Sequence, residues 1–305
     1  MSHASSYPTA SSAETSAQGA QGEVETPLLE LVRVTRRFGG LPAVEDLSFG
    51  VRRGEVLGMI GPNGAGKSTV ISLIGGALAP SEGTVRFQGQ DITRLSPHKR
   101  ARLGIARTFQ VTQPFAQLDI RDNVVVGALF SGHARNRKEA AEQADAVLAR
   151  VGLAGKAHLK GDELTVADRK RLEMARALAM RPHLLLLDEV MAGLTPREVG
   201  EAVRIIREIN QSGVTVLVVE HVMRAITGVS DRILVLHHGR KIAEDTPDTV
   251  LSDPRVVEAY LGERYARERA AQQTRLAQQV GGVPSSVEQT PAPDQPDEPG
   301  KESQQ

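Results

Sequence analysis

Apolar runs and amphipathic stripes alternate along most of this chain. "EVLGMIG" (55–61), "HLLLLDE" (183–189) and "VTVLVVEH" (214–221) are short and almost wholly apolar. Such runs predict strands buried on both faces. Between them the period lengthens. "RKEAAEQADAVLARVGL" (137–153) puts Ala144, Val147, Leu148 and Val151 on one face of a helix. "PREVGEAVRIIREINQSG" (196–213) is amphipathic, with proline near its start and glycine past its end. "KSTVISLIGGAL" (67–78) predicts a third helix, and "DRILVLHHGRKIAE" (231–244) a hairpin around His238-Gly239. Buried strands separated by helices argue for an α/β fold with a largely parallel sheet covered on both faces.

The two ends break this pattern. Residues 1 to about 26 are rich in Ser, Ala, Gly and Thr, and 281–305 in Pro, Gly, Gln, Ser and acid. Neither carries enough apolar surface to fold alone, so both predict disorder. Residues 263–279 favour helix, and their arginines predict a solvated surface. The foldable part is therefore about 27–262.

Composition narrows the function classes. Lys+Arg and Asp+Glu both number 37, so no global basic field points to a nucleic-acid partner. The absence of cysteine excludes disulfides and thiolate metal sites and fits a cytosolic protein. The N-terminus has no basic and apolar segments of a signal peptide. No apolar run approaches the roughly 18 residues a membrane-crossing helix needs, so work at a membrane would need another anchor.

The chemistry begins at "GPNGAGKST", Gly61 to Thr69, between a predicted buried strand and a predicted helix. This fits the phosphate-loop pattern in the context that pattern requires. Gly61, Gly64 and Gly66 let backbone N–H groups turn inward around phosphate oxygens, with Pro62, Asn63 and Ala65 completing the loop. The helix N-terminus favours an anion. Lys67 is placed to reach the β- and γ-phosphates, Ser68 to ligate Mg²⁺, and Thr69 to support the α-phosphate.

"LLLLDE" puts Asp188 and Glu189 at the C-terminal end of a buried strand, where open α/β sheets bind ligands. Asp188 suits Mg²⁺, and Glu189 is then free to orient or deprotonate an attacking water. Gln110 in "ARTFQ" and His221 after "VTVLVVE" also end predicted strands. Taken singly, a surface glutamine and a structural histidine are the simpler readings of these two.

As an ordered series, these motifs resemble the ATP-binding subunit of an ABC transporter over about residues 27–262. The resemblance matches Phe38 in "RRFGG" to the aromatic that stacks on adenine, and Gly61–Thr69 to Walker A. It matches Gln110 to the Q-loop, a metal-contacting position, and Leu164–Asp168 to the signature loop. Leu184–Asp188 becomes Walker B, Glu189 the catalytic glutamate, Ala192–Thr195 the D-loop and His221 the switch histidine. Within the superfamily the chain looks most like the ATPases of branched-chain amino acid uptake. The marks are "RFGGLPAVEDLSF", "GLTP", "EHVMRAITGVSDRILVLHHGRKIAEDTP" and "DPRVVEAYLG".

The resemblance implies a P-loop NTPase core with a mostly parallel sheet and an antiparallel β subdomain. An α-helical subdomain would be inserted at about 113–181. ATP and Mg²⁺ are the implied cofactors. A second ATP-binding subunit would sandwich each ATP head to tail, with the partner's phosphate contacted by Thr165. Membrane permease subunits, and indirectly a periplasmic substrate-binding protein, are the implied partners, at the cytoplasmic face of the inner membrane. Lipid or lipopolysaccharide export, and a soluble non-transport ATPase, are the alternatives.

One motif departs from the family. The usual signature is Leu-Ser-Gly-Gly-Gln; here it is Leu164-Thr165-Val166-Ala167-Asp168. Thr165-x-x-Asp168 fits a capping box, with Thr165 as N-cap and Asp168 at the third helical position. The carboxylate would oppose part of the positive helix end. Arg169, Lys170 and Arg171, which follow at once, read singly as a solvated face. Thr195 stands where the D-loop usually has Asp.

Overall fold

The computed structural model describes residues 26–108, 114–130 and 134–260. Gln110, the 263–279 segment and the two tails lie outside the described residues.

Two sheets clasp one helix. The first is antiparallel, of order β2-β1-β4-β5, from β1 (Leu29–Phe38), β2 (Leu41–Val51), β4 (Glu82–Phe87) and β5 (Gln90–Asp91). The second has the order β10-β9-β3-β8-β7-β6. It contains β3 (Val56–Ile60), β6 (Ile105–Arg107), β7 (Leu184–Asp188), β8 (Thr215–Val219), β9 (Arg232–His237) and β10 (Arg240–Asp245). Its pairings are parallel except for the β9–β10 hairpin. Every residue of β3, β7 and β8 is buried, as their unbroken apolar runs predict.

Strand alternation decides what each face of the larger sheet touches. Leu57, Met59, Leu184, Leu186, Leu217, Val219, Leu234 and Leu236 share one core with Val70, Ile71, Leu73 and Ile74 of α1 (Lys67–Gly75) and with the antiparallel sheet. On the other face, α7 (Met223–Val229) lies so close to β3 that a Cβ on Gly58 would sit 2.9 Å from Ile226. α6 (Pro196–Gln211) packs beside α7 and buries Ala202, Ile205, Ile206 and Ile209.

α3 (Ile120–Phe130), α4 (Arg137–Arg150) and α5 (Val166–Leu178) pack on one another. Buried Asn123 fixes the chain entering α3: it accepts from Phe115 N–H and donates to the carbonyls of Phe115, Leu118 and Asp119. Two further helices are α2 (Pro97–Arg102) and α8 (Pro247–Ser252). Arg100 of α2 is fully buried and donates to Leu73 O and Ile74 O, closing the C-terminal end of α1.

Element ends differ from the sequence expectations where glycine intervenes. α1 stops at Gly75 rather than running to 78, because Gly76 turns left-handed at φ 81°. α4 stops at Arg150 rather than 153, with Gly152 at φ 75°. α6 keeps its predicted start, where Thr195 and Glu198 form a reciprocal capping box. The residue standing in the D-loop's Asp place thus starts a helix. Among the described residues no helix is long and apolar enough to cross a membrane.

Candidate active site

The phosphate loop runs from the end of β3 into α1. Gly61 (φ 158°) and Gly66 (φ 103°) are required by close approach as well as by backbone angle. A Cβ on Gly61 would lie 2.2 Å from Leu236 O, and one on Gly66 2.5 Å from Ala43 O. The loop is held from two sides. Gly239, in the β9–β10 turn, donates its N–H to Ala65 O, and Glu45 of β2 donates to Gly239 O. Ala65 N–H closes onto Pro62 O. Lys67 is buried and donates to Gly61 O at 2.6 Å and Pro62 O at 2.9 Å. Its ammonium therefore lies inside the loop's curl. Ser68 and Asn63 are exposed and Thr69 half-buried, along the same open edge.

Phe38 lies at the tip of the β1–β2 hairpin, 46% exposed, with the Arg36 guanidinium 4.7 Å from its ring centre. It pairs with Leu41, two residues before the Ala43 carbonyl that abuts Gly66. The hairpin therefore carries an accessible aromatic face near the loop.

At the end of β7, Asp188 is 2% exposed. Burial pushes its carboxyl up, partly countered by Arg107, whose guanidinium donates to Oδ2 at 3.3 Å. Thr108 Oγ1 accepts the Asp188 N–H. Glu189 follows in a left-handed conformation, φ 51°, which costs a non-glycine residue about 1–2 kcal/mol. Beyond β8, His221 is exposed, and its Nδ1 stands 4.0 Å from Glu189 Oε1. The structure thus brings the predicted acid and the predicted histidine together across two neighbouring strands.

The signature-position loop starts α5 as its pattern predicts. Thr165 is the N-cap, accepting from Asp168 N–H. The reciprocal half of the capping box does not form. Asp168 accepts instead from the Thr165 hydroxyl at 2.8 Å and from Lys156 Nζ at 2.5 Å. Burial works against its charge, but the Lys156 and Thr165 bonds outweigh it and hold the carboxyl below its ordinary value. The basic trio is not a solvated face. Arg169 donates to Asp162 O, Lys170 to Glu189 O and Arg171 to Glu201. All three residues are half-buried; α5 lies against β7, and Arg171 reaches Glu201 of α6.

Sequence reasoning missed Arg107, Lys156, Lys170 and Glu220. Arg107 sits in "ARTFQ", and Glu220 directly precedes His221. Neither position has a spacing signal; only tertiary pairing reveals them.

Mg²⁺ is tested by the donor set. Among the described residues no three His, Asp or Glu converge as a metal cage. One buried carboxylate, Asp188, with the exposed Ser68 hydroxyl, fits a cation that keeps waters and is completed by substrate phosphates.

A glycine-lined loop opening a helix, with an acidic strand end on the same sheet, defines a P-loop nucleoside triphosphatase. An ABC transporter family model matches residues 44–192, and a branched-chain amino acid ATP-binding cassette transporter model matches residues 240–266. The high-affinity branched-chain amino acid transport ATP-binding protein LivG of Salmonella typhimurium is 38% identical over 251 residues, 78% of this chain and 98% of LivG. The chain belongs to the ABC transporter ATP-binding family. The lipopolysaccharide export system ATP-binding protein LptB of Acidithiobacillus ferridurans is 35% identical, over 78% of this chain and 98% of LptB. An ATP-binding cassette of an ABC transporter, solved in its ADP conformation, superposes with a TM-score of 0.72 at 32% identity, over 78% and 99% of the two chains. A cassette solved as a dimer bound to ADP and Pi gives 0.66 at 25% identity, over 72% and 98%.

Proposed function

We propose that this chain is the Mg²⁺-dependent ATPase subunit of an importer for branched-chain amino acids. The observation that carries the reading is the meeting of Glu189 and His221 at the ends of β7 and β8. The near end-to-end match to LivG and the C-terminal match at 240–266 support branched-chain uptake over lipopolysaccharide export.

In this reading Lys67 exchanges its loop carbonyls for β- and γ-phosphate oxygens, with the backbone N–H groups of Gly61–Thr69 completing the cradle. Phe38 stacks on the base. Ser68, Asp188 and, by resemblance, Gln110 would hold Mg²⁺, which would supply neutralisation of phosphate charge. Glu189 accepts the proton of the attacking water, and His221 contacts the γ-phosphate. Thr165 approaches the nucleotide of a second ATP-binding subunit. The chain works against membrane permease subunits at the cytoplasmic face, supplied by a periplasmic binding protein. The folded cassette spans about 27–262, with its helical subdomain at about 113–181.

The experiment is uptake of labelled leucine by cells in which this chain is replaced by Glu189→Gln. Lost leucine uptake with intact permease assembly supports the reading. Unchanged leucine uptake, with a defect in outer-membrane lipopolysaccharide, would replace it by the export reading.

A further inference from the structure

Glu220 has no part in the roles above, yet it is a fully buried acid immediately beside His221. Its Oε1 accepts the Met191 N–H at 2.7 Å. Its Oε2 is also buried and has no hydrogen-bond partner. A charge sealed from water with one bare oxygen is costly. Burial accordingly pushes this carboxyl up to about 7; the Met191 N–H opposes the rise, the Glu189 charge adds to it, and Lys170 and the His221 N–H pull against it. A leucine of similar volume would avoid the cost, so bulk alone does not explain an acid here.

What the carboxyl holds is the turn after β7. That turn carries Glu189 in its left-handed conformation, which persists only if its surroundings fix it. Three bonds do so. Glu189 N–H donates to Val219 O at 2.9 Å. Lys170 Nζ donates to Glu189 O at 2.9 Å. Met191 N–H donates to Glu220. The first and third acceptors are consecutive residues at the end of β8, and His221 is the next. Glu220 is thus the side chain that ties the Glu189 turn to the strand end carrying its histidine.

We propose that Glu220 is a positioning residue for ATP hydrolysis, its buried carboxyl pinning Met191 so that the Glu189 side chain stays aligned beside His221. This rests on the reading that Glu189 activates water. Glutamine at 220 keeps an acceptor for Met191 N–H. Leucine keeps the volume and removes the acceptor.

The test is steady-state ATP hydrolysis and nucleotide binding by the full-length chain as Glu220→Leu and Glu220→Gln, beside Glu189→Gln, with hydrogen exchange at the Met191 amide. For Glu220→Leu the expected result is a fall in kcat of about tenfold or more with KM for ATP within about threefold, since misalignment acts on the chemical step. The Met191 amide exchanges faster in that variant. Glu220→Gln recovers kcat to within about threefold and keeps the amide protected. Wild-type kcat in Glu220→Leu, or an equal loss in both variants, overturns the proposal. If the leucine variant does not fold, loss of kcat in the folded glutamine variant overturns it alone. Hydrolysis that survives Glu189→Gln would instead sink the reading of Glu189, a result independent of Glu220.

Discussion

Thr165 and Asp168 close on each other: the threonine hydroxyl donates to Asp168 Oδ2 at 2.8 Å and accepts from the Asp168 N–H at 3.2 Å. The hydroxyl has one proton, and here it is given to the carboxylate. Under the proposed reading, Thr165 would have to release Asp168 before donating to a phosphate. Lys156 pairs with the same carboxylate oxygen at 2.5 Å.

The first prediction concerns this triad. In Lys156→Met, Asp168 stays buried with its Thr165 hydroxyl bond but without the ammonium that contacts it. Because the lysine head reaches water, the loss of stability is about 1 kcal/mol rather than the larger figure for a sealed pair. Lys156→Met combined with Asp168→Asn should cost less than the sum of the single changes. Urea unfolding of the four proteins checks it, and additive losses would deny the coupling.

Glu220 predicts a pH dependence of stability. Its carboxyl is raised from 4.5 to about 7 in the folded protein. Between those values the folded chain holds a proton that the unfolded chain has lost. This contribution is therefore fully present below pH 4.5, declines as pH rises, and is gone above about 7. Glu220→Gln cannot titrate. Relative to that variant, the wild type should lose stability between pH 5 and 7.5, as measured by urea midpoints at both pH values. A constant difference would contradict the assignment.

Arg107→Met leaves Asp188 buried without its cation. The carboxyl then rises further, and the Mg²⁺ concentration for half-maximal ATP hydrolysis should increase by about tenfold at pH 7. The increase should shrink as pH rises, because higher pH favours the ionised carboxylate. A Mg²⁺ requirement independent of pH would remove Asp188 from the metal role.

Gly66→Ala meets the Ala43 carbonyl at 2.5 Å and a φ of 103°. The collision is with backbone, so the loop must move as a whole. ATP affinity should fall by about tenfold or more. Gly64→Ala meets nothing within 4 Å but keeps the unfavourable φ of 79°, so its loss should be smaller. Fluorescent-nucleotide titration separates the two, and equal losses would rule out the contact with Ala43 as the cause.

Much of this was legible beforehand because it is local. Strands β3, β7 and β8 are unbroken apolar runs, and the phosphate loop and Thr165 cap are short motifs with fixed spacing. The unread part is tertiary. Lys170 looked like one of three solvated bases, yet it donates to the Glu189 carbonyl 19 positions away. Asp168 looked like the second half of a capping box, but Lys156, from a segment with no periodic signal, took its oxygen. Glu220 looked like part of a strand end; only the approach of Met191 shows what its carboxyl holds.

The most direct test of the central claim is Mg²⁺-ATP hydrolysis by the full-length chain and by Glu189→Gln, with ATP binding measured on the same samples. The account predicts that the variant binds ATP as the wild type does and hydrolyses it at least about a hundredfold more slowly. Hydrolysis at the wild-type rate by Glu189→Gln would contradict it.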